Sequence, residues 1–183
     1  MTKNIAVLIG SLRKDSFSKS VAKSLMPLFP SDYNLEIVEI GDLPLYNQDY
    51  DDLDQVPEAY TTFRNNLKTM DAVLFVTPEY NRSVPAVLKN ALDVGSRPYG
   101  ASIWDNKPAE IVSVSPGAIS GFGANHHLRQ SLVFLNMPMV QQPEAYIGNV
   151  MNLLDDNQEI TNPDTLKFFQ AIVDAFDTLI KRY

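Results

Sequence analysis

Apolar residues recur along this chain with two alternating periods. Ile5-Ala6-Val7-Leu8-Ile9-Gly10 is a short unbroken apolar run, the pattern of a strand buried on both faces. Phe17, Val21, Leu25 and Leu28 follow at intervals of four, four and three, which marks one face of a helix. Residues 35–40 predict a second strand, and Val56, Tyr60, Phe63, Leu67 and Met70 a second helical stripe. Residues 72–77 predict a third strand, followed by a helix from about Ser83 with Pro85 in its first turn. Residues 110–115 predict a fourth strand, Leu128, Leu132 and Leu135 the next helix, and residues 139–147 a fifth strand. A last helix opens with Asn162 as cap and Pro163 at its first position, and carries Leu166, Phe169, Val173, Phe176 and Ile180 on one face.

Five strands alternating with five helices predict an α/β fold, a parallel sheet covered on both faces, in a single domain over residues 1–183. Right-handed crossovers leave few topologies. Ligands of such sheets bind outside the carboxyl ends of the strands, where strand order reverses. The loops after strands one, three and four are therefore the places to look for chemistry.

Composition narrows the classes. The chain has no cysteine, so disulfides, thiolate nucleophiles and iron–sulfur ligation are excluded. That fits a cytoplasmic protein. The net charge of −7, from 22 acidic and 15 basic residues, argues against a broad nucleic-acid footprint. No apolar stretch approaches the roughly 18 residues that span a bilayer. The opening residues run directly into a strand-like segment, so no secretory signal is predicted.

The loop after strand one reads Gly10-Ser11-Leu12-Arg13-Lys14-Asp15-Ser16-Phe17-Ser18. Its hydroxyls, its guanidinium and the free N–H groups of a helix start suit a phosphate. A plain capped turn explains the serines equally well. Neither a P-loop motif nor Gly-x-Gly-x-x-Gly is present, so a mononucleotide fits better than a nucleoside triphosphate or an ordinary dinucleotide fold. After strand three comes Thr77-Pro78-Glu79-Tyr80-Asn81-Arg82-Ser83-Val84-Pro85, stiffened by two prolines. Such a loop can aim backbone N–H groups at the edge of a flat ring, or be a rigid connection with Tyr80 packed at the core edge. After strand four, Gly117, Gly121 and Gly123 fall within seven residues. They allow close backbone approach to a ligand, or mark a mobile surface loop.

Together, Gly10-Ser11-Leu12-Arg13, Ser16-Phe17-Ser18, Thr77-Pro78-Glu79-Tyr80-Asn81, Ser83-Val84-Pro85, Leu88-Lys89-Asn90-Ala91 and Asp93 resemble the NAD(P)H-dependent FMN reductases, over residues 4–148. The resemblance implies a flavodoxin-like three-layer sandwich with a five-stranded parallel sheet. It implies FMN as cofactor, with Ser11, Arg13, Ser16, Phe17 and Ser18 holding its phosphate. Pro78, Glu79, Tyr80 and Asn81 would border the isoalloxazine, and Ser115 and Gly117 its pyrimidine end. NADPH or NADH would pass hydride to the flavin. A small-molecule acceptor such as a quinone, azo compound, chromate or free flavin would follow in a ping-pong sequence, with no catalytic side chain. Leu128-Arg129-Gln130 would lie near subunit contacts of a homodimer or homotetramer.

One departure concerns the loop after strand four. Relatives often carry a Gly-Gly-x-Arg-like run where this chain has Ser120-Gly121-Phe122-Gly123-Ala124-Asn125, which leaves the choice between NADPH and NADH open. Two other functions share features with this pattern. A flavodoxin-type carrier has the same fold and cofactor, but typically a Ser/Thr-rich phosphate loop without arginine. A flavin-responsive regulator would need a partner-binding element, and none is evident.

Other features read as structural. Adjacent helical residues point about 100° apart, so His126 and His127 cannot serve one metal from one face. Asp49, Asp51, Asp52 and Asp54 read as a solvated loop. Tyr46 and Tyr50 either cover a ligand or pack at the surface. Trp104, in a polar connection, is a candidate subunit contact.

Overall fold

A computed structural model describes residues 2–183. Five parallel strands, β1 (Lys3–Ile9), β2 (Tyr33–Ile37), β3 (Ala72–Pro78), β4 (Ala109–Val114) and β5 (Ala145–Ile147), lie in the order β2-β1-β3-β4-β5. This is the flavodoxin-like order, with its reversal between β1 and β3. Helices α1 (Phe17–Leu25) and α6 (Pro163–Ile180) cover one face. Helices α3 (Glu58–Lys68), α4 (Ala86–Gly95) and α5 (Phe122–Phe134) cover the other. A short helix, α2 (Asp49–Asp52), lies in the loop after β2.

Each layer follows from the strand pleat. Ile5, Val7 and Ile9 of β1 face α1 and α6, while Ala6 and Leu8 face the opposite layer. Burial on both sides explains why the central strands read as unbroken apolar runs. Asn162 caps α6 as predicted, its side chain accepting from the Thr165 N–H at 3.1 Å. Helix α4 starts later than its sequence pattern predicts, at Ala86, with Pro85 as its extended N-cap residue. The fifth strand is also shorter than predicted. Met139 makes one bridge to Ala109, but the chain leaves the sheet before Pro143, which lacks a ladder donor, and rejoins only at Ala145.

Two surface readings are corrected. Asp51 is not solvated: its carboxylate receives both terminal nitrogens of Arg64, at 2.7 and 2.9 Å, in a mostly buried pair. The Arg64 hydrogen bonds hold the Asp51 carboxyl below its ordinary pKa, against the opposing effect of burial. Trp104 is not a surface contact either. It is fully buried between Phe63 and Phe75, and its indole N–H donates to the Leu92 carbonyl at 3.0 Å. Tyr46 and Tyr50 pack on Tyr60, the first stacked and the second edge-on, rather than standing free to cover a ligand.

Candidate functional site

Strands β1, β3 and β4 are neighbours, so their following loops emerge side by side at the carboxyl edge of the sheet. Contact between the first two is tight: a Cβ on Gly10 would sit 2.7 Å from Thr77 Oγ1. Pro78 pairs in register with Val114, which places Ser115 directly beside the start of the 78–83 turn.

In the loop after β1, Ser16 is the N-cap of α1, and its hydroxyl oxygen accepts from the Lys19 N–H at 3.2 Å. A hydroxyl that accepts one bond still has its own proton to donate. The earlier N–H groups of α1 have no intrahelical partner. Ser11 Oγ accepts from the Arg13 N–H at 3.4 Å, and the Arg13 guanidinium lies over the Phe17 ring at 5.4 Å. Phe17 itself packs against the core, so the cation rests on a fixed platform. Ser18 is buried in the first turn of α1. The first turn of α1 contains no acidic residue. The result is a donor-rich, cationic loop at a helix start, which matches a phosphate dianion.

The loop after β3 is a tight two-residue turn. Tyr80 and Ser83 exchange backbone hydrogen bonds at 3.1 and 3.0 Å, with Asn81 and Arg82 at φ of 51° and 65°. Positive φ at both central positions is the type I′ geometry, which glycine or asparagine adopts most easily. Arginine there needs support, and Glu79 provides it through an ion pair with Arg82 at 3.0 Å. The other Glu79 oxygen accepts from the Ala124 N–H at 3.1 Å, in the first turn of α5. Both Glu79 carboxylate oxygens are thus engaged, one on Arg82 and one on the start of α5. His127 Nδ1 adds a second tie to Ser83 Oγ at 3.0 Å. Tyr80 is half exposed, not packed as core edge, so its ring is available at the loop's surface.

The three glycines after β4 divide by role. Gly121 is the N-cap of α5 at φ of 73°, a conformation that favours glycine. At Gly123 a Cβ would come within 2.8 Å of the Arg82 carbonyl oxygen, so α5 can dock on the turn only without one. Of the three, only Gly117 leaves room for a Cβ, which would meet Ser115 Oγ at 3.6 Å. Its N–H donates to that Ser115 oxygen at 3.0 Å.

The three loops together line a shelf at the ends of β1, β3 and β4. The enclosed recess beside Ser11, Leu12 and Arg13 holds only about 130 Å³, whereas wider clefts lie on the flanks of the molecule. A flat ring spanning three strand ends needs a ledge rather than a closed cavity, so cavity size does not locate this site. Further along the edge, His126 Nε2 lies 2.9 Å from the Tyr146 hydroxyl, which donates to Glu144 Oε1 at 2.8 Å. Burial, then the Glu144 acceptor, pushes the Tyr146 hydroxyl up to about 12. The two histidines thus engage different elements. Of the residues expected at subunit contacts, Leu128 is fully buried, while Arg129 turns inward to Asn125 Oδ1 and the Val140 carbonyl.

The sequence pattern did not reveal how Glu79 is used. A carboxylate 45 residues before its partner N–H leaves no local signal. A polar stripe on α1, with serines at 16, 20 and 24 and lysines at 19 and 23, was legible at helical spacing.

Sheet order defines a flavodoxin-like protein, with a donor-rich loop at its switch point. The chain belongs to the NADPH-dependent FMN reductase family, whose sequence model matches residues 3–152. It is 58% identical to a quinone reductase of Pseudomonas putida over 178 residues, 97% of this chain and 95% of the relative. It is 45% identical to a 2-hydroxy-1,4-benzoquinone reductase of a Burkholderia species, covering 99% of this chain and 98% of the relative. Among solved structures, FerB of Paracoccus denitrificans, a flavoenzyme NAD(P)H:(acceptor) oxidoreductase, superposes with a TM-score of 0.92. It is 39% identical, over 99% of this chain and 98% of FerB. The protein is an oxidoreductase that uses FMN as cofactor and NAD(P)H as electron donor. No described helix is long and apolar enough to cross a membrane.

Proposed function

We propose that this protein is a quinone reductase in which residues 1–183 form one FMN-binding domain. The observation that carries this reading is the juxtaposition at the switch point. The Arg13 loop and the 78–83 turn, the latter fastened to α5 through Glu79, emerge side by side from neighbouring strands. Relatives of 58% and 45% identity named for quinone reduction support the choice of acceptor.

Arg13 and the hydroxyls of Ser11, Ser16 and Ser18, with the first N–H groups of α1, hold the FMN phosphate, and Phe17 supports the guanidinium. Pro78, Tyr80, Asn81 and the backbone of Glu79 border the isoalloxazine. Ser115 and Gly117 lie at its pyrimidine end, where the Ser115 hydroxyl, which accepts from the Gly117 N–H, keeps its own proton to donate toward the negative charge that gathers on reduction. FMN held there would supply the redox chemistry, a two-electron transfer from NAD(P)H to a quinone. The protein binds and orients, and no side chain acts as nucleophile or essential acid. Donor and acceptor use the shelf in turn, a ping-pong sequence.

The protein works in the cytoplasm as a homodimer or homotetramer. Tyr99, Phe134 and Val133 are 91, 89 and 67% exposed, an apolar surface that a second subunit covers. Sedimentation analysis of the holoprotein is expected to give a dimer or tetramer mass; a monomer at micromolar concentration contradicts this. The activity is tested with the purified protein alone, NADPH or NADH, and benzoquinone. Rapid donor oxidation without a partner reductase is the expected result. A flavodoxin-type carrier would show almost none.

A further inference from the structure

The polar side of α1 forms one wall of a cleft of about 560 Å³ that begins at the Arg13 loop and runs along the helix. Lys14 lies at its start, Lys19 and Lys23 follow one turn apart, and Ser20 and Ser24 each stand next to one of these two lysines. Leu28 and Leu166, both partly buried, supply apolar surface, over the buried Ile160. The opposite wall is a built hairpin rather than a loose loop. Leu154 bridges Ile160, and Asp155 Oδ1 accepts from the N–H groups of Asn157 and Glu159, both at 2.9 Å.

Charge makes the cleft unusual. The molecule carries a net charge of −7, yet three lysines gather here. Ion pairs among the described residues engage Lys3, Arg64, Arg82, Lys89 and Lys181, and none of these three. Asp15 and Glu159 share the rim, but neither lies within ion-pairing distance of a lysine. A solvated lysine face would need no apolar strip and no facing hairpin. An anion with a flat apolar part explains all three.

We propose that this cleft takes the phosphorylated adenosine end of the nicotinamide donor, and that its lysines make NADPH the preferred donor over NADH. The inference rests on the reading of the Arg13 loop as the FMN phosphate site, which places the cleft next to the cofactor. NADPH differs from NADH by one 2′-phosphate dianion. The loop after β4 carries no arginine to receive it, whereas the α1 cleft offers three free ammonium groups. Adenine packs on Leu28 and Leu166, and the ribose hydroxyls meet Ser20 and Ser24.

The test uses the FMN-loaded enzyme with Lys23→Glu, and Lys23→Arg as the variant that keeps the charge. Lys23 is exposed and remote from the flavin shelf. In Lys23→Glu, KM for NADPH is expected to rise about tenfold or more. The turnover number, KM for NADH and flavin content stay at parent values. Lys23→Arg keeps the parent's NADPH preference. Adenosine 2′,5′-bisphosphate competes with NADPH in the parent and loses about tenfold in potency against Lys23→Glu. A parent enzyme that prefers NADH, or an unchanged ratio of kcat/KM for the two donors in Lys23→Glu, overturns the proposal. Failure of the underlying reading looks different: the parent would hold no flavin and oxidise neither donor.

Discussion

Arg13 rests on Phe17 and makes no ion pair among the described residues, so its charge is available for a phosphate. A charged hydrogen bond contributes about 1.5–3 kcal/mol. Arg13→Ala is therefore expected to weaken FMN binding about tenfold to a hundredfold, leaving hydride transfer in the remaining holoenzyme unchanged. Fluorescence titration of the apoprotein with FMN measures this, and unchanged affinity would refute the phosphate assignment. Glu110 on β4 has a different significance. Both its carboxylate oxygens and Arg129 Nη2 are buried without a hydrogen-bond partner among the described residues. Burial pushes the Glu110 carboxyl well above its ordinary pKa, with Arg129 opposing. A carboxylate whose folded pKa is raised lowers stability as pH climbs from the unfolded value toward the folded one. Glu110→Gln is thus expected to match the parent at pH 4 and to raise Tm increasingly toward pH 8. A Tm difference that does not grow with pH would contradict it. At the first position of the predicted fourth strand, Glu110 reads as a strand end open to solvent, and only the fold shows it buried.

At the scale of elements, pattern and structure agree wherever packing sets the period. The central strands and α6 were legible because two apolar layers enforce them. Disagreement falls where a backbone feature intervenes. Pro143 cuts the fifth strand short, and Pro85 caps α4 instead of entering it. Asp51 reads as one of an acidic run, because its partner Arg64 is 13 residues away on another helix. The glycine loop gives an element-scale prediction. Gly123→Ala forces α5 off the Arg82 carbonyl, so Tm is expected to fall by several degrees, with FMN affinity following. Gly117→Ala meets only Ser115 Oγ at 3.6 Å, so apoprotein Tm should hold while FMN affinity drops. Equal effects on apoprotein Tm from both changes would contradict the division of roles. Spacing alone could not separate these glycines, since only the fold shows which one leaves room for a Cβ.

At the scale of the whole molecule, the alternation of elements predicted the layers, and right-handed crossovers made the order β2-β1-β3-β4-β5 one of few available. That order selected three loops, and the residues in them carried the family resemblance. How the loops are tied together was not legible, because Glu79, His127 and Ser83 act across sequence separations that pattern reading does not span. The central claim is that one ledge serves an NAD(P)H donor and a quinone in turn through bound FMN. The most direct measurement is an anaerobic spectral titration of the purified protein. Its flavin band is expected to bleach with one equivalent of NADPH or NADH and to return with one equivalent of benzoquinone, without any other protein. A protein that acquires no flavin band with FMN, or whose band survives both nicotinamide donors, would contradict the account.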